Sequence, residues 1–153
     1  MIKILLMVGI VVCVILCGVI ANNYFLNRLI FFKNYEKACK DIVGEISFLK
    51  TDKITLISKI NFSSKHAKEF RDNYILYGSG HSSILSETEN KFFNDFLNSI
   101  GNNNVDGEVY NLAYYERLIK EYVVRAQEKY DKYGVLSIKL SIIIAALLVI
   151  FLI

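Results

Sequence analysis

ILLMVGIVVCVILCGVIA, residues Ile4 to Ala21, runs for eighteen residues without a charge. That is the length at which an apolar run becomes a membrane-spanning helix. Leu, Ile and Val each contribute about −0.3 to −0.6 kcal/mol at mid-bilayer, so insertion is favourable by several kcal/mol. Asn22, Asn23 and then Arg28 mark the exit. A cleavable leader is the competing reading, with Lys3 as its basic end and Val19-Ile20-Ala21 as its cleavage site. The run is longer than the 7–15 apolar residues of a leader. Val14-Ile15-Leu16-Cys17 is only loosely a lipoprotein motif, because Leu16 is bulky where a small residue belongs. A retained anchor is the expectation.

Outward from this run, a second one lies at the other end: LSIIIAALLVIFLI, residues 140–153. Fourteen residues rise only about 21 Å as a helix, short of the roughly 30 Å hydrocarbon core. Extending the helix back to Gly134 makes up the length. Lys139 then falls near its N-terminal quarter, where a long side chain reaches back to the headgroups. The chain is expected to end inside or just beyond the bilayer, with no further domain. Arg28, Lys33, Lys37 and Lys40 follow the first run, and Arg125, Lys129, Lys132 and Lys139 precede the second, against Lys3 and the terminal amine on the other side. The positive-inside rule therefore puts the middle of the chain in the cytoplasm and both termini outside.

Composition agrees. The 153 residues are 54% hydrophobic, and a mean hydropathy of +0.35 is too high for an ordinary soluble domain or a disordered chain. A net charge of +3 lacks the basic stripe of a nucleic-acid binder. Proline is absent where about 5% is usual, which permits long unbroken helices.

Between the runs, Leu29, Phe32, Tyr35, Cys39, Ile42, Ile46 and Leu49 recur at spacings of three and four, a helical stripe continuous with the first anchor. Thr51 or Asp52 would cap a short helix through Ile54, Leu56, Ile57 and Ile60. Ser63 or Ser64 would cap another, carrying Ala67, Phe70, Tyr74 and Ile75 to a stop at Gly78. YGSGHSS, residues 77–83, has loop composition. Ser86-Glu87-Thr88-Glu89 opens a helix faced by Leu85, Phe92, Phe93, Phe96, Leu97 and Ile100, which Gly101 ends. GNNNVDG is a turn. From Val109 the last helix carries Leu112, Tyr115, Leu118, Ile119, Tyr122, Val123, Ala126 and Tyr130 toward the membrane. The expected fold is all-α: an N-terminal transmembrane helix over 1–24, a cytoplasmic helical bundle over 25–133 and a C-terminal transmembrane helix over 134–153.

Chemistry has few footholds. His66 and His81 lack ligand-spaced partners, so no metal site is expected. Ser79-Gly80-His81 lacks an orienting acid, and adjacent residues rarely face each other. The glycines fit neither phosphate-cradling pattern, which leaves no cofactor. Glu36, Glu45, Glu69, Glu116 and Glu121 sit among lysines at helical spacing and read as solvated faces with local ion pairs. The clustered tyrosines read as core and interface anchors. Cys13 and Cys17 in the bilayer and Cys39 in the cytoplasm are not expected to form disulfides. Gly9, Cys13 and Cys17 form a small-residue ridge that would allow close helix approach. No catalytic residue is expected, and no enzyme.

The plan, and above all the last third, resembles the stage III sporulation protein AB family of endospore-forming bacteria. Ile100-Gly101 stands where that family has Leu-Gly, and Asn104 where it has Asp. Val105-Asp106-Gly107-Glu108 follows in register, with Glu108 for Gln, and Asn111-Leu112, Ala126, Lys129, Tyr130 and Gly134 continue the match. On this reading Gly101 and Gly107 bracket a turn between antiparallel helices, Gly107 being its sensitive position if it needs a positive φ. Glu108 starts the second helix, Tyr130 comes near its end, and Gly134 lies where it meets the membrane; these five are the structural or interaction candidates. The resemblance implies two membrane anchors around a helical domain similar to the cytoplasmic domains of type II secretion and type IV pilus platform proteins. It implies a place in the complex that links mother cell and forespore after engulfment. The partners it implies are the membrane, the cytoplasmic ATPase stage III sporulation protein AA and other stage III channel components, with self-association left open. The competing class is a two-anchor membrane sensor or adaptor without an output domain; the charge bias places the bundle on the wrong side for an external sensor.

Overall fold

The computed structural model describes residues 2–46, 53–102 and 105–152, and the side chains of 8–44, 53–102 and 105–151. Six α-helices follow in order: α1 Ile2–Ile46, α2 Lys53–Lys59, α3 Lys65–Tyr77, α4 Glu87–Ser99, α5 Val105–Lys129 and α6 Val135–Leu152, with a π-helical turn at Tyr130–Gly134 joining the last two. There is no strand among the described residues, so the all-helical class expected from periodicity holds. The first apolar run and the stripe from Leu29 form one 45-residue helix, as the absence of proline allows. The expected caps Thr51 and Asp52, together with Leu49 and Asn104, lie outside the described residues.

The chain divides into two compact units, one of residues 1–26 and 126–153 and the other of residues 27–125.

The unit of residues 27–125 is built round aromatic rings. Phe31, Phe32 and Tyr35 of α1, Phe70 of α3 and Phe93 and Phe96 of α4 are fully buried, with Leu112 and Ile119 of α5. Phe93 sits at the centre: its ring centroid is 4.7 Å from Tyr35, 5.1 Å from Phe31, 5.2 Å from Phe92 and 5.8 Å from Phe32. Such pairs add about 0.5–1.5 kcal/mol each beyond the area they bury. Sequence spacing anticipated most of this core. It passed over Phe31 and Ala38, which are buried beside the expected stripe and widen the buried face of α1.

Helix ends are fixed as the sequence implies. Ser64 caps α3, its side chain accepting from the Ala67 N–H. Gly78 ends that helix at φ +74°, its N–H donating to the Tyr74 carbonyl at 2.9 Å. Ser86 and Glu89 make a reciprocal capping box at the start of α4. The α2–α3 connector is held from two sides. Asn34 Oδ1 accepts from the Ser63 N–H at 2.8 Å, and Arg71 Nη1 donates to the Ile60 carbonyl.

The unit of residues 1–26 and 126–153 is built the opposite way. Its large apolar side chains face outward: Ile20, Ile142, Ile150 and Phe151 are all more than half exposed. Its buried residues are small, namely Gly18, Gly134, Ser141, Ala145 and Ala126. A Cβ on Gly18 would lie 2.3 Å from Ser141 Oγ and 3.0 Å from the Ser137 carbonyl, so the α1 and α6 backbones meet there. The expected ridge of Gly9, Cys13 and Cys17 is corrected by this. Both cysteines are exposed, and nothing lies within 4 Å of a Cβ placed on Gly9. Spacing alone marked a small-residue face, but the residue that must be small is Gly18. Both α1 and the helical stretch that ends at Phe151 carry windows apolar enough to cross a membrane, with mean hydropathies of 2.2 and 2.6.

Candidate functional site

The longest irregular segment among the described residues joins Tyr77 to Ser86, and α1 and α4 hold it in place. Arg28 of α1 donates through Nη1 to the Ile84 carbonyl at 3.0 Å and through Nη2 to Glu89 Oε1 at 2.6 Å. The two side chains are only 15% and 11% exposed, so removing either would leave a largely buried charge without its partner. Glu89 spends its other oxygen on the Ser86 N–H at 2.7 Å. One carboxylate thus closes a helix cap and receives the guanidinium of α1. Further back, Asn90 and Asn94 each bind one loop residue through both of its backbone groups, Ser82 and Gly80 respectively. Gly80 has to be glycine, because a Cβ there would sit 2.4 Å from the Phe70 ring.

The α4–α5 turn is the second polar cluster. Gly101 adopts φ +81°, and its N–H donates to Glu108 Oε1 at 2.8 Å. Glu108 is 2% exposed. Asn111 Nδ2 donates to Ser99 Oγ at 2.9 Å, a second tie between the same two helices. The structure therefore brings Gly101 and Glu108 together. Gly107 is a correction. It lies within the first turn of α5, which begins at Val105 and not at Val109, and among the described residues the positive φ values belong to Gly78 and Gly101. Helix entry four residues earlier follows from Asp106 and Glu108, acidic side chains suited to a helix N-terminus.

Tyr130 and Gly134 lie apart from these, at the first and last positions of the π-helical turn. A Cβ on Gly134 would meet the Tyr130 ring at 2.8 Å and Asn22 Oδ1 at 3.2 Å. Beside it, Phe25 and Tyr133 stack with centroids 6.0 Å apart. Aromatic rings at the end of an apolar run are the usual dress of a membrane interface.

Titratable groups do not converge elsewhere. Among the described residues no three His, Cys, Asp or Glu side chains come together. His66 faces Glu69 at 3.9 Å and His81 is exposed. Lys59, Lys68 and Arg71 border an open cleft of 370 Å³, but the Arg71 guanidinium is already committed to Asp72 at 2.7 Å and to Ile60. Burial pushes the Cys39 thiol up to about 12, with Glu116 and Glu36 adding to the shift, so it stays a neutral core group. The expected surface pairs are present, Glu36 with Lys40 at 2.9 Å and Glu69 with Lys65 at 3.7 Å.

Three features escaped the sequence reading. The Arg28–Glu89 pair spans 61 residues, a distance no local pattern encodes. The π-helical turn has no sequence signature beyond Gly134. The asparagine pair did leave a signal: Asn90 and Asn94 alternate with Phe93 and Leu97 on the buried side of α4, where a polar residue needs a partner.

No curated protein and no solved structure matches the chain. A family model does, that of stage III sporulation protein AB, over residues 76–153, from the end of α3 through the 77–86 segment and the α4–α5 turn to the end of α6. The match takes in Gly101, Glu108, Tyr130 and Gly134, and it covers just over half of the sequence, so the chain belongs to the stage III sporulation protein AB family and has a role in stage III of sporulation.

Proposed function

We propose that the protein is a membrane-anchored scaffold that holds other stage III components at the membrane and performs no chemistry itself. The observation that carries this reading is how the polar side chains of residues 27–125 are used. Arg28, Asn34, Glu89, Asn90, Asn94 and Glu108 all bind backbone groups or caps of their own chain, which makes a stiff helical body rather than a reaction centre. The two apolar helices act as anchors over about 1–24 and 134–153, with the bundle of 25–133 on the cytoplasmic side. The charge bias at Arg28–Lys40 and Arg125–Lys139 supports that orientation, both termini lying outside. The partners are a cytoplasmic ATPase of the stage III AA type and channel components in the mother-cell membrane. Confinement to one membrane raises effective concentration, so micromolar contacts suffice to hold such an assembly. Gly101 and Glu108 keep the α4–α5 turn in shape, Gly107 is carried in the first turn of α5, and Tyr130 and Gly134 shape the wide turn.

Deletion in a spore-former is expected to stop development after engulfment and leave vegetative growth normal. Full sporulation of the deletion strain, or no stage III component recovered by crosslinking from sporulating cells, would exclude the scaffold. A thiol at position 79 of a cysteine-free variant should be shielded from an impermeant reagent on intact cells; labelling there would reverse the topology.

A further inference from the structure

Charge is unbalanced in the unit of residues 1–26 and 126–153. No acidic residue follows Lys132 or Lys139, and residues 1–26 hold none either. The acidic side chains of the unit are Glu128 and Asp131, and Asp131 Oδ1 accepts from Gln127 Nε2 at 3.0 Å. Neither lysine has an ion pair among the described residues. Lys132 Nζ lies instead over the ring of its neighbour Tyr133, 5.1 Å from the centroid.

The two lysines lie on one outward stripe. Lys132, Leu136, Lys139, Ile143, Leu147 and Ile150 recur at spacings of three and four, and all six are exposed. Gly134, Ser141 and Ala145, on the other side of this stretch, are buried. The stripe is thus amphiphilic along its length: two ammonium groups bracket Leu136, and apolar side chains alone follow. Seven helical residues rise about 10 Å, further than the roughly 5–7 Å depth of one headgroup layer. Side chains on a helix slant toward its N-terminus, so the Lys139 stem runs back beside Leu136 and carries its ammonium toward Lys132.

We propose that this stripe binds one phospholipid with an anionic headgroup, its phosphate between Lys132 and Lys139 and an acyl chain along Ile143, Leu147 and Ile150. The unpaired ammonium groups call for an anion, and the exposed side chains beyond them call for an apolar body. One amphiphile meets both needs, and juxtamembrane lysines attract anionic lipid as a class. A partner helix fits less well. Its carboxylate would have to reach the depth of Lys139, where ionised side chains are costly, whereas a lipid brings its phosphate at the headgroup level. The inference rests on the reading of the two apolar helices as membrane anchors, and deepens it by naming the lipid they select.

The full chain in uncharged detergent micelles is given equal amounts of dioleoylphosphatidylglycerol and dioleoylphosphatidylcholine, and bound lipid is counted by native mass spectrometry. The anionic lipid should be bound at least about fivefold more often than the neutral one. Lys132→Gln and Lys139→Gln together should abolish that preference, whereas Lys132→Arg with Lys139→Arg should keep it. Lys37→Gln with Lys120→Gln, two exposed lysines of the other unit, should leave it unchanged. Equal binding of the two lipids, or a preference that survives the Lys132 and Lys139 glutamine pair, would overturn the proposal. An equal loss in the Lys37 and Lys120 pair would do the same, by reducing the effect to overall charge. Displacement of the anionic lipid by millimolar glycerol 3-phosphate would also overturn it, assigning the lysines to a soluble phosphate. Flotation with neutral phosphatidylcholine vesicles tests the anchors separately. A chain that fails to float defeats the anchors and the site with them; one that floats but binds both lipids equally defeats the site alone.

Discussion

The two units of this protein put opposite side chains inside. Residues 27–125 bury rings and leave most of their charge outside, apart from the hydrogen-bonded Glu89 and Glu108, the arrangement that water imposes through the hydrophobic effect. Residues 1–26 and 126–153 bury glycine, serine and alanine and turn isoleucine and phenylalanine outward. In lipid there is no gain from hiding a leucine from its surroundings, so helices associate where small side chains let backbones approach. The same chain therefore follows two packing patterns, the first that of a body in water and the second compatible with membrane anchoring.

The sharpest way to break the first pattern is at the centre of the ring cluster. Phe93→Ala leaves a cavity among Phe31, Phe32, Tyr35 and Phe70 and should cost about 3–5 kcal/mol, read as a lowered denaturation midpoint of the aromatic unit. A loss under 1 kcal/mol would mean the cluster closes over the gap and is not tightly packed.

The second pattern is tested by a pair of substitutions that differ only in position. Gly18→Val forces a side chain against Ser141 and should weaken the α1–α6 contact by about 1–3 kcal/mol. Gly9→Val meets only open space and should change nothing. Disulfide trapping between cysteines engineered on the two helices, in bilayers, reads the difference. Equal yields for the two variants would defeat the assignment of the contact to Gly18.

The smallest effect concerns Tyr35, whose hydroxyl is buried without a hydrogen-bond partner among the described residues. Tyr35→Phe removes an unsatisfied group and should leave stability unchanged or raise it by up to about 1 kcal/mol. Burial holds this phenol well above its usual value of 10.0. The folded state therefore keeps the proton that the unfolded chain gives up, so stability is intact below pH 10 and falls as pH rises past it. The Phe variant should lose less on the alkaline side in a pH series of melts. An identical alkaline decline would show that Tyr35 ionises as freely folded as unfolded.

What the sequence made legible follows from range. Apolar runs and periodic stripes are local, and they yielded both long apolar helices, the α1 stripe and the faces of α3 and α4. Caps are local too: Ser64, Gly78 and Ser86 were readable because each acts within a few residues. The Gly101 and Glu108 pairing lay within reach of a turn motif, although the motif placed the strained backbone at Gly107. Arg28 with Glu89, and Gly18 with Ser141, join residues far apart in sequence and depend on how helices are rotated about their axes. No short pattern within one chain encodes that rotation.

The wide turn at Tyr130–Gly134 bears on such counting. Going down α5, the buried positions Leu112, Ile119 and Ala126 come every seven residues; the next, Gly134, comes after eight, and Ser141 seven beyond that. The wide turn absorbs one surplus residue, so the helix carries two reading frames offset by a single position. A heptad ruled straight through from Leu112 would land on Tyr133 and Leu140, both exposed, and would set leucine where the chain has its serine. The phase slip keeps Ser141 inside, and the helix stays unbroken while its inward face changes frame.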